Sequence, residues 1–475
     1  MLFSAPLFIP FLFVVIAVFY ALRFSFRLQK YWIIAASLVF YGFFDFRYVI
    51  LLIAVTVLNW VCVLAIGRRG ALEKPALIAS VVISLGALGI FKYLGLFVDT
   101  VNSVAETAGG VRVFSPVDII LPVGVSFYLF QSMSYVIDLA RGKIEKTGTF
   151  SDFLFFVVFF PQLVAGPIVR AESFLPQIEL KRRISIDQAM WGLSLFIIGL
   201  FQKIVLADGV FAPVANDFFA QSRYGGFFEA WCGVFAFAGQ IYCDFSGYSS
   251  CAIGVSLLFG YRIPLNFNLP YGAIGFSDFW RRWHISLSSW LRDYLYISLG
   301  GNRRGAFNTY RNLMLTMLLG GLWHGAAWTF VLWGGLHGAF LVIERLLKTY
   351  IPVSAPKTAV FAIIGSAFGW LVTLLGVMVA WVPFRAADLS RSTDIMMAMF
   401  RPVSFAATVF EDPGQRLMLF AFSALLIFSV RFRNTDFWTY WGRYPAAVKG
   451  MALGGMITAI LAWRGDSVDF IYFQF

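Results

Sequence analysis

Residues 276–305 read FSDFWRRWHISLSSWLRDYLYISLGGNRRG, and after an apolar run residues 320–326 read GGLWHGA. This stretch decides the fold because it is apolar enough to belong to a membrane and too charged to cross one. Phe279–Ser298 contains Arg281, Arg282, Arg292 and Asp293, charges that a spanning helix does not tolerate. At 100° per residue, Phe279, Trp283, Leu287, Trp290 and Tyr294 gather on one face, with Arg281, Ser288, Ser289 and Arg292 opposite. The pattern predicts a basic amphipathic helix lying in the membrane interface, with His284 at the shoulder between its faces. GGNRRG ends that helix in a Gly-Asn turn. Only three histidines occur in the chain, and this stretch holds His284 and His324.

Working outward, 60% of the 475 residues are hydrophobic and only 13% are charged. Soluble domains carry roughly 25% charged residues, and a water-soluble fold of this size has no place to hide so much apolar surface. Runs near 20 apolar residues recur throughout, which predicts a polytopic all-α membrane protein. The net charge of +12 does not call for nucleic acid. Its cations cluster between apolar runs: Arg23, Arg27 and Lys30; Arg68, Arg69 and Lys74; Arg141, Lys143 and Lys146; Lys181–Arg183; Arg303 and Arg304. That is the pattern of cytoplasmic loops. Cys62, Cys232, Cys243 and Cys251 lie in apolar segments without metal-site spacing, so neither a disulfide nor a metal is assigned. The first apolar run has no basic leader or small-residue cleavage site and reads as a retained helix.

Along the chain, spans are expected at Leu2–Leu22, Tyr31–Phe44, Tyr48–Ile66, Ala76–Val98 and Ile119–Ala140. The loop after the fourth carries Asp99, Glu106 and Asp118 against Arg112 and should face away from the cytoplasm. FLFFVVFFPQLVAGPIVR holds Pro161, Gly166 and Pro167 and predicts a broken hairpin that must be covered by protein. Ala189–Ala207 and Phe227–Tyr242 are expected to cross next. Asp244, in QIYCDFSGYSSCAIG, is a carboxylate in an apolar region; Tyr242, Ser246 and Tyr248 are its expected partners. The readings open for it are a structural hydrogen-bonded acid, a helix-end group near the interface, and a direct catalytic group.

Tyr310–Trp323 is expected to re-enter the membrane, with His324 at the small-residue break WHGAA. A histidine at that depth is a functional candidate, because neutral imidazole can take and return a proton. Its alternative is a ring bonded to a nearby carbonyl. Gly320, Gly321, Gly325 and Ala326 leave backbone space for a substrate or for a second helix. His337, in WGGLHGAF, is explained by close packing beside two glycines.

LPVGVSFYLFQSMSYVID, FFPQLVAGPIVR, QIYCDFSGYS, FWRRWHISLSSWLRDYLYISLGGNRRG, GLWHGAAWTFVLWGGLHG and FIYFQF, in this order, resemble the membrane-bound O-acyltransferase family, nearest its alginate-type polysaccharide-acetylating branch. The resemblance covers nearly the whole chain; residues of about 383–414 are the divergent part. It implies a single membrane domain over 1–475, with core motifs at about 119–345 and peripheral helices at 1–118 and 346–475. Tilted helices, with re-entrant and interfacial ones, would ring a central tunnel. The family's essential histidine falls on His324 and its second polar position on His284. Trp323, Gly325, Asp244, Arg281, Arg282, Asp293, Asn302 and Arg303 become candidates for the tunnel or the donor side.

Acetyl-CoA or another acyl thioester is then the expected donor, with no bound cofactor. An exported polysaccharide and extracytoplasmic partners of the SGNH, serine-hydrolase-like kind would complete the transfer, in a bacterial inner membrane. D-alanyl transfer, lipid acylation and a transporter or flippase are the competing readings; no inverted or parallel repeat supports the last.

Overall fold

The computed structural model describes residues 1–115, 119–145, 147–180, 184–303, 305–351, 358–401, 412–463 and 470–473, with only the backbone of Phe437, Trp438 and Phe473. Every regular element among them is helical. Among the described residues, six helices are long and apolar enough to cross a bilayer, at Phe46–Gly67, Glu73–Thr107, Ile186–Ala220, Trp328–Tyr350, Ala359–Arg385 and Pro413–Phe432. In hydrocarbon a helix satisfies every backbone group internally, so this is a multi-pass membrane protein. The described chain packs as two compact units: Met1–Phe196 with Tyr248–Pro264, and Ile197–Gly247 with Leu265–Phe475.

In the first unit, Phe8–Ala21, Phe26–Gly42 and Phe46–Gly67 follow one another with short turns. Asp45 caps the third, its carboxylate accepting from the Arg47 N–H at 2.8 Å. The fourth helix runs on to Thr107 through a wide turn at Gly89–Tyr93. Asp99 and Glu106 therefore lie on a helix rather than in the expected loop, and Arg112 folds back onto Glu106 at 2.7 Å. Asp118 lies outside the described residues, as do Lys146, Lys181–Arg183 and Arg304 of the basic clusters.

The expected hairpin is present and broken. Phe150–Val158 stops at Phe159, Phe160–Leu163 makes one turn, and Ala171–Ile178 follows. Residues 155–169 are all buried, as irregular backbone at this depth requires. Freed backbone groups find side-chain partners: the Phe156 carbonyl accepts from Gln131 and Gln162, and the Phe160 N–H donates to Ser37 Oγ. Gly124, at φ +72°, lets the neighbouring chain approach; a Cβ there would sit 2.8 Å from the Leu163 carbonyl oxygen.

Two expected crossings are longer than read. The helix expected to end at Ala207 continues to Ala220 through a wide turn at Phe201–Phe211, and the one expected to end at Tyr242 continues to Leu258. The second meets no proline, and the first meets Pro213 only where Ala212–Ala220 begins, a position a helix tolerates. Lys203, Asp208 and Asp244 along them are paired inside the fold. Asp244 is thus a mid-helix residue.

The second unit departs from the single interfacial helix. Phe276–Arg282 ends at Trp283, His284 adopts a left-handed backbone (φ +42°), and Ile285–Trp290 restarts and widens at Leu291–Tyr296. Periodicity identified the buried set correctly all the same: Phe279, Trp283, Leu287, Trp290 and Tyr294 are all buried. Gly305–His324 and Trp328–Tyr350 then pack closely along glycines. A Cβ on Gly321 would meet the Phe330 carbonyl oxygen at 2.2 Å, and one on Gly334 the Met317 carbonyl oxygen at 2.3 Å. Of the two occupants open for that space, a second helix fills it.

Candidate active site

The break at His284 is made by a neighbouring extended segment. The Asn268 N–H donates to the Arg282 carbonyl at 2.9 Å and the Ile285 N–H to the Asn266 carbonyl at 2.9 Å. Those two bonds replace the helical ones that a continuous helix would make. The Asn266 side chain then fills the gap: its Oδ1 accepts from Ser286 Oγ at 2.9 Å and lies 3.1 Å from His284 Nδ1. A left-handed non-glycine backbone costs on the order of 1–3 kcal/mol and persists only where its surroundings hold it. Here Asn266 holds it, and the result aims a fully buried imidazole inward.

His324 reaches the same place from another element. It is the last residue of Gly305–His324, where the chain turns at Gly325 before Trp328. Gly325 makes the turn tight, since a Cβ would fall 2.0 Å from the Phe330 ring. The His284 and His324 rings lie 6.3 Å apart between centroids. Their walls are aromatic. Phe245 stands edge-on to His284 at 4.6 Å, and Trp323 lies 6.0 Å from it. Trp333, Trp323, Phe384 and Tyr472 surround His324 at 4.9, 5.1, 5.3 and 5.6 Å. Burial pushes the His284 imidazole down to about 3, so it is neutral at ordinary pH. Two imidazoles in a buried box of rings can pass a proton to and from one small bound group.

The remaining expected residues divide. Trp323 and Gly325 belong to this box. Asp244 is buried one residue from Phe245, but its partners are not Tyr242, Ser246 or Tyr248. They are Lys203 Nζ at 2.9 Å and the Ile471 N–H at 2.8 Å. Arg282 pairs with Asp278 at 3.0 Å and donates to the Arg433 carbonyl at 2.6 Å, which makes it part of the scaffold. Asp293 is half-buried and pairs with Arg292 at 2.7 Å. Arg281, Asn302 and Arg303 are exposed, unlike the buried histidine pair.

His337 stacks on Phe279 at 5.9 Å and 9°, with Trp280, Trp333 and Phe340 around it. Among the described residues no group of three or more His, Cys, Asp or Glu is arranged to hold a metal.

Sequence reading missed Lys203, Asp208, Asn266 and Tyr472. A lysine inside an apolar run was a signal for the first. Asn266 carries none, because its role arises only from contact with a segment 18 positions away.

Comparisons with known proteins bear on this geometry. Residues 144–382 match the profile of MBOAT, the membrane-bound O-acyltransferase family. A probable alginate O-acetylase of Azotobacter vinelandii is 45% identical over 379 residues, 79% of this chain and 73% of the relative. A peptidoglycan O-acetyltransferase of Helicobacter pylori is 36% identical over 398 residues, 78% of this chain and 73% of that protein. A teichoic acid D-alanyltransferase of Streptococcus thermophilus is 31% identical over 234 residues, 47% of this chain and 56% of the relative.

Proposed function

We propose, from the premise that the chain belongs to the membrane-bound O-acyltransferase family, that it moves acetyl groups from a thioester onto a hydroxyl bound for an exported polysaccharide. The observation that carries the reading is the meeting of His284 and His324, from separate elements, in one buried aromatic box. The O-acetylating relatives resemble this chain more closely and over more of its length than the D-alanyl-transferring one does.

In the proposed reaction His324 is the general base. It takes the proton from an acceptor hydroxyl as the oxygen attacks the thioester carbonyl carbon, forming a C–O bond. Collapse breaks the C–S bond, and the proton on His324 goes to the departing thiolate. His284, neutral and fixed by Asn266, orients the reacting groups and offers one ring nitrogen to them. In a variant of this scheme His324 itself carries the acyl group before the hydroxyl takes it. Acetyl-CoA is the proposed donor, entering from the cytoplasmic side of a bacterial inner membrane, where exposed Arg281 and Arg303 attract its phosphates. Partners of the serine-hydrolase kind, on the far side, would pass the acetyl group to the glycan.

The experiment uses membranes holding the full chain and its export partners, supplied with acetyl-labelled coenzyme A. Label on glycan or partner should appear with the wild type and vanish with His324→Ala at equal abundance. Full labelling by His324→Ala would sink the proposal.

A further inference from the structure

Lys203, Asp208 and Asp244 form a buried ion cluster that the proposed reaction does not use. Lys203 Nζ lies 2.8 Å from Asp208 Oδ1 and 2.9 Å from Asp244 Oδ1, and all three side chains are at least nine-tenths buried. One cation faces two carboxylates, so the cluster has acceptor capacity to spare and needs a donor to stay buried. Asp244 Oδ2 finds it in the Ile471 N–H at 2.8 Å, across 227 positions of sequence.

This bond is placed where it matters. Ile471–Phe473 is a single tight turn, and a turn that short depends on what it packs against. Phe470 and Ile471 are nevertheless fully buried. The next residue, Tyr472, lays its ring 4.5 Å from Phe245, 5.6 Å from His324 and 6.5 Å from His284. Its hydroxyl is buried with no hydrogen-bond partner among the described residues. Asp244 thus grips the segment through Ile471, while Phe245, its chain neighbour, touches both Tyr472 and His284. A charged acceptor makes a bond roughly twice as strong as a neutral one, and Lys203 Nζ, 2.9 Å from Asp244 Oδ1, offsets part of the cost of burying the carboxylate.

We propose that Asp244, balanced by Lys203, is a positioning residue: it latches the Phe470–Phe473 segment through the Ile471 N–H and so sets the Tyr472 ring against the histidine pair. The functional side of this inference rests on the histidine pair being the reacting centre; the latch itself is read without activity.

The test places a cysteine at Phe470 in the full chain. Cys62, Cys232, Cys243 and Cys251 are all buried, so background reaction with a small maleimide is low. Phe470→Cys alone should stay protected, and its own labelling and acetyl transfer are the reference for the variants built on it. Adding Ile471→Pro, which deletes the donor and keeps all three side chains of the ion cluster, should raise labelling about tenfold as the segment opens. It should also lower the turnover rate about 100-fold, the usual cost of a misplaced reacting group. Asp244→Leu should do the same.

Asp244→Asn, whose single amide oxygen accepts from Ile471 only with its N–H2 turned toward Lys203, should restore part of the protection and part of the transfer. Unchanged labelling in Ile471→Pro would overturn the latch even if Asp244→Leu does not fold. So would Asp244→Asn behaving as Asp244→Leu. No transfer by any variant, the parent included, would count against the acyltransferase reading, while the labelling pattern would still decide the latch.

Discussion

Two buried histidines flank the same indole. Trp333 lies 4.9 Å from His324 on one side and 4.8 Å from His337 on the other. Burial and ring contacts therefore do not separate them. The backbone does. His337 sits in the middle of Trp328–Tyr350 among stacked rings, and neither of its nitrogens has a hydrogen-bond partner among the described residues. His324 ends a helix at a glycine break, faces a second histidine, and lies against the Phe470–Phe473 segment. A site needs a gap in regular structure that another group can enter. A continuous helix, whose side chains pack against their own neighbours, gives none.

The largest contrast should come from replacing each ring. His324→Ala is expected to lower acetyl transfer by about 10³-fold, within the range for losing a general base. His337→Phe should leave transfer unchanged and the purified protein at least as heat-stable, because an unpartnered buried polar ring becomes an apolar one. Equal loss of transfer in both variants would erase the distinction.

Next comes Gly321→Ala. Its Cβ would press on the Phe330 carbonyl oxygen, forcing apart the two helices that carry His324 and His337. We expect about 1–3 kcal/mol of lost stability from overpacking, and roughly 100-fold lower turnover if His324 moves. Gly365→Ala meets open space and serves as the silent control in thermal unfolding.

Asn266→Leu removes the side-chain acceptor at the His284 break. Transfer should fall about tenfold, as when a positioning hydrogen bond to a histidine is lost, with protein abundance held. No change in turnover would mean that the left-handed backbone alone orients the ring.

The last contrast is a slope with pH. The folded pKa of His284 is held at about 3, below the ordinary 6.5 or so of a free imidazole. The unfolded chain therefore binds more protons between those values, and stability falls as pH drops through that window, by at most about 1.4 kcal/mol per unit for this one group. His284→Gln should flatten that part of the unfolding profile. An unaltered slope would show that His284 does not carry it.

Much of this was legible in the chain. Composition forces the membrane, because so much apolar surface has no other place to go. The 100° pattern found the buried face at 279–294, since side-chain direction follows local periodicity whether or not the helix is continuous. His284 and His324 stood out because polar groups at depth are scarce. The break at His284 was not legible: Phe279–Ser298 reads as one amphipathic helix, and only contact with 266–268 converts it into two.

What the sequence alone determined is the solvent, the helical class, the family motifs and the two histidines, all of which depend on residue type and short-range order. What only the tertiary structure decided is who meets whom: Asn266 with His284, Lys203 with Asp244, and Ile471 with a carboxylate 227 positions earlier. Such pairings depend on three-dimensional closure between distant segments. Periodicity within one segment has no term for it.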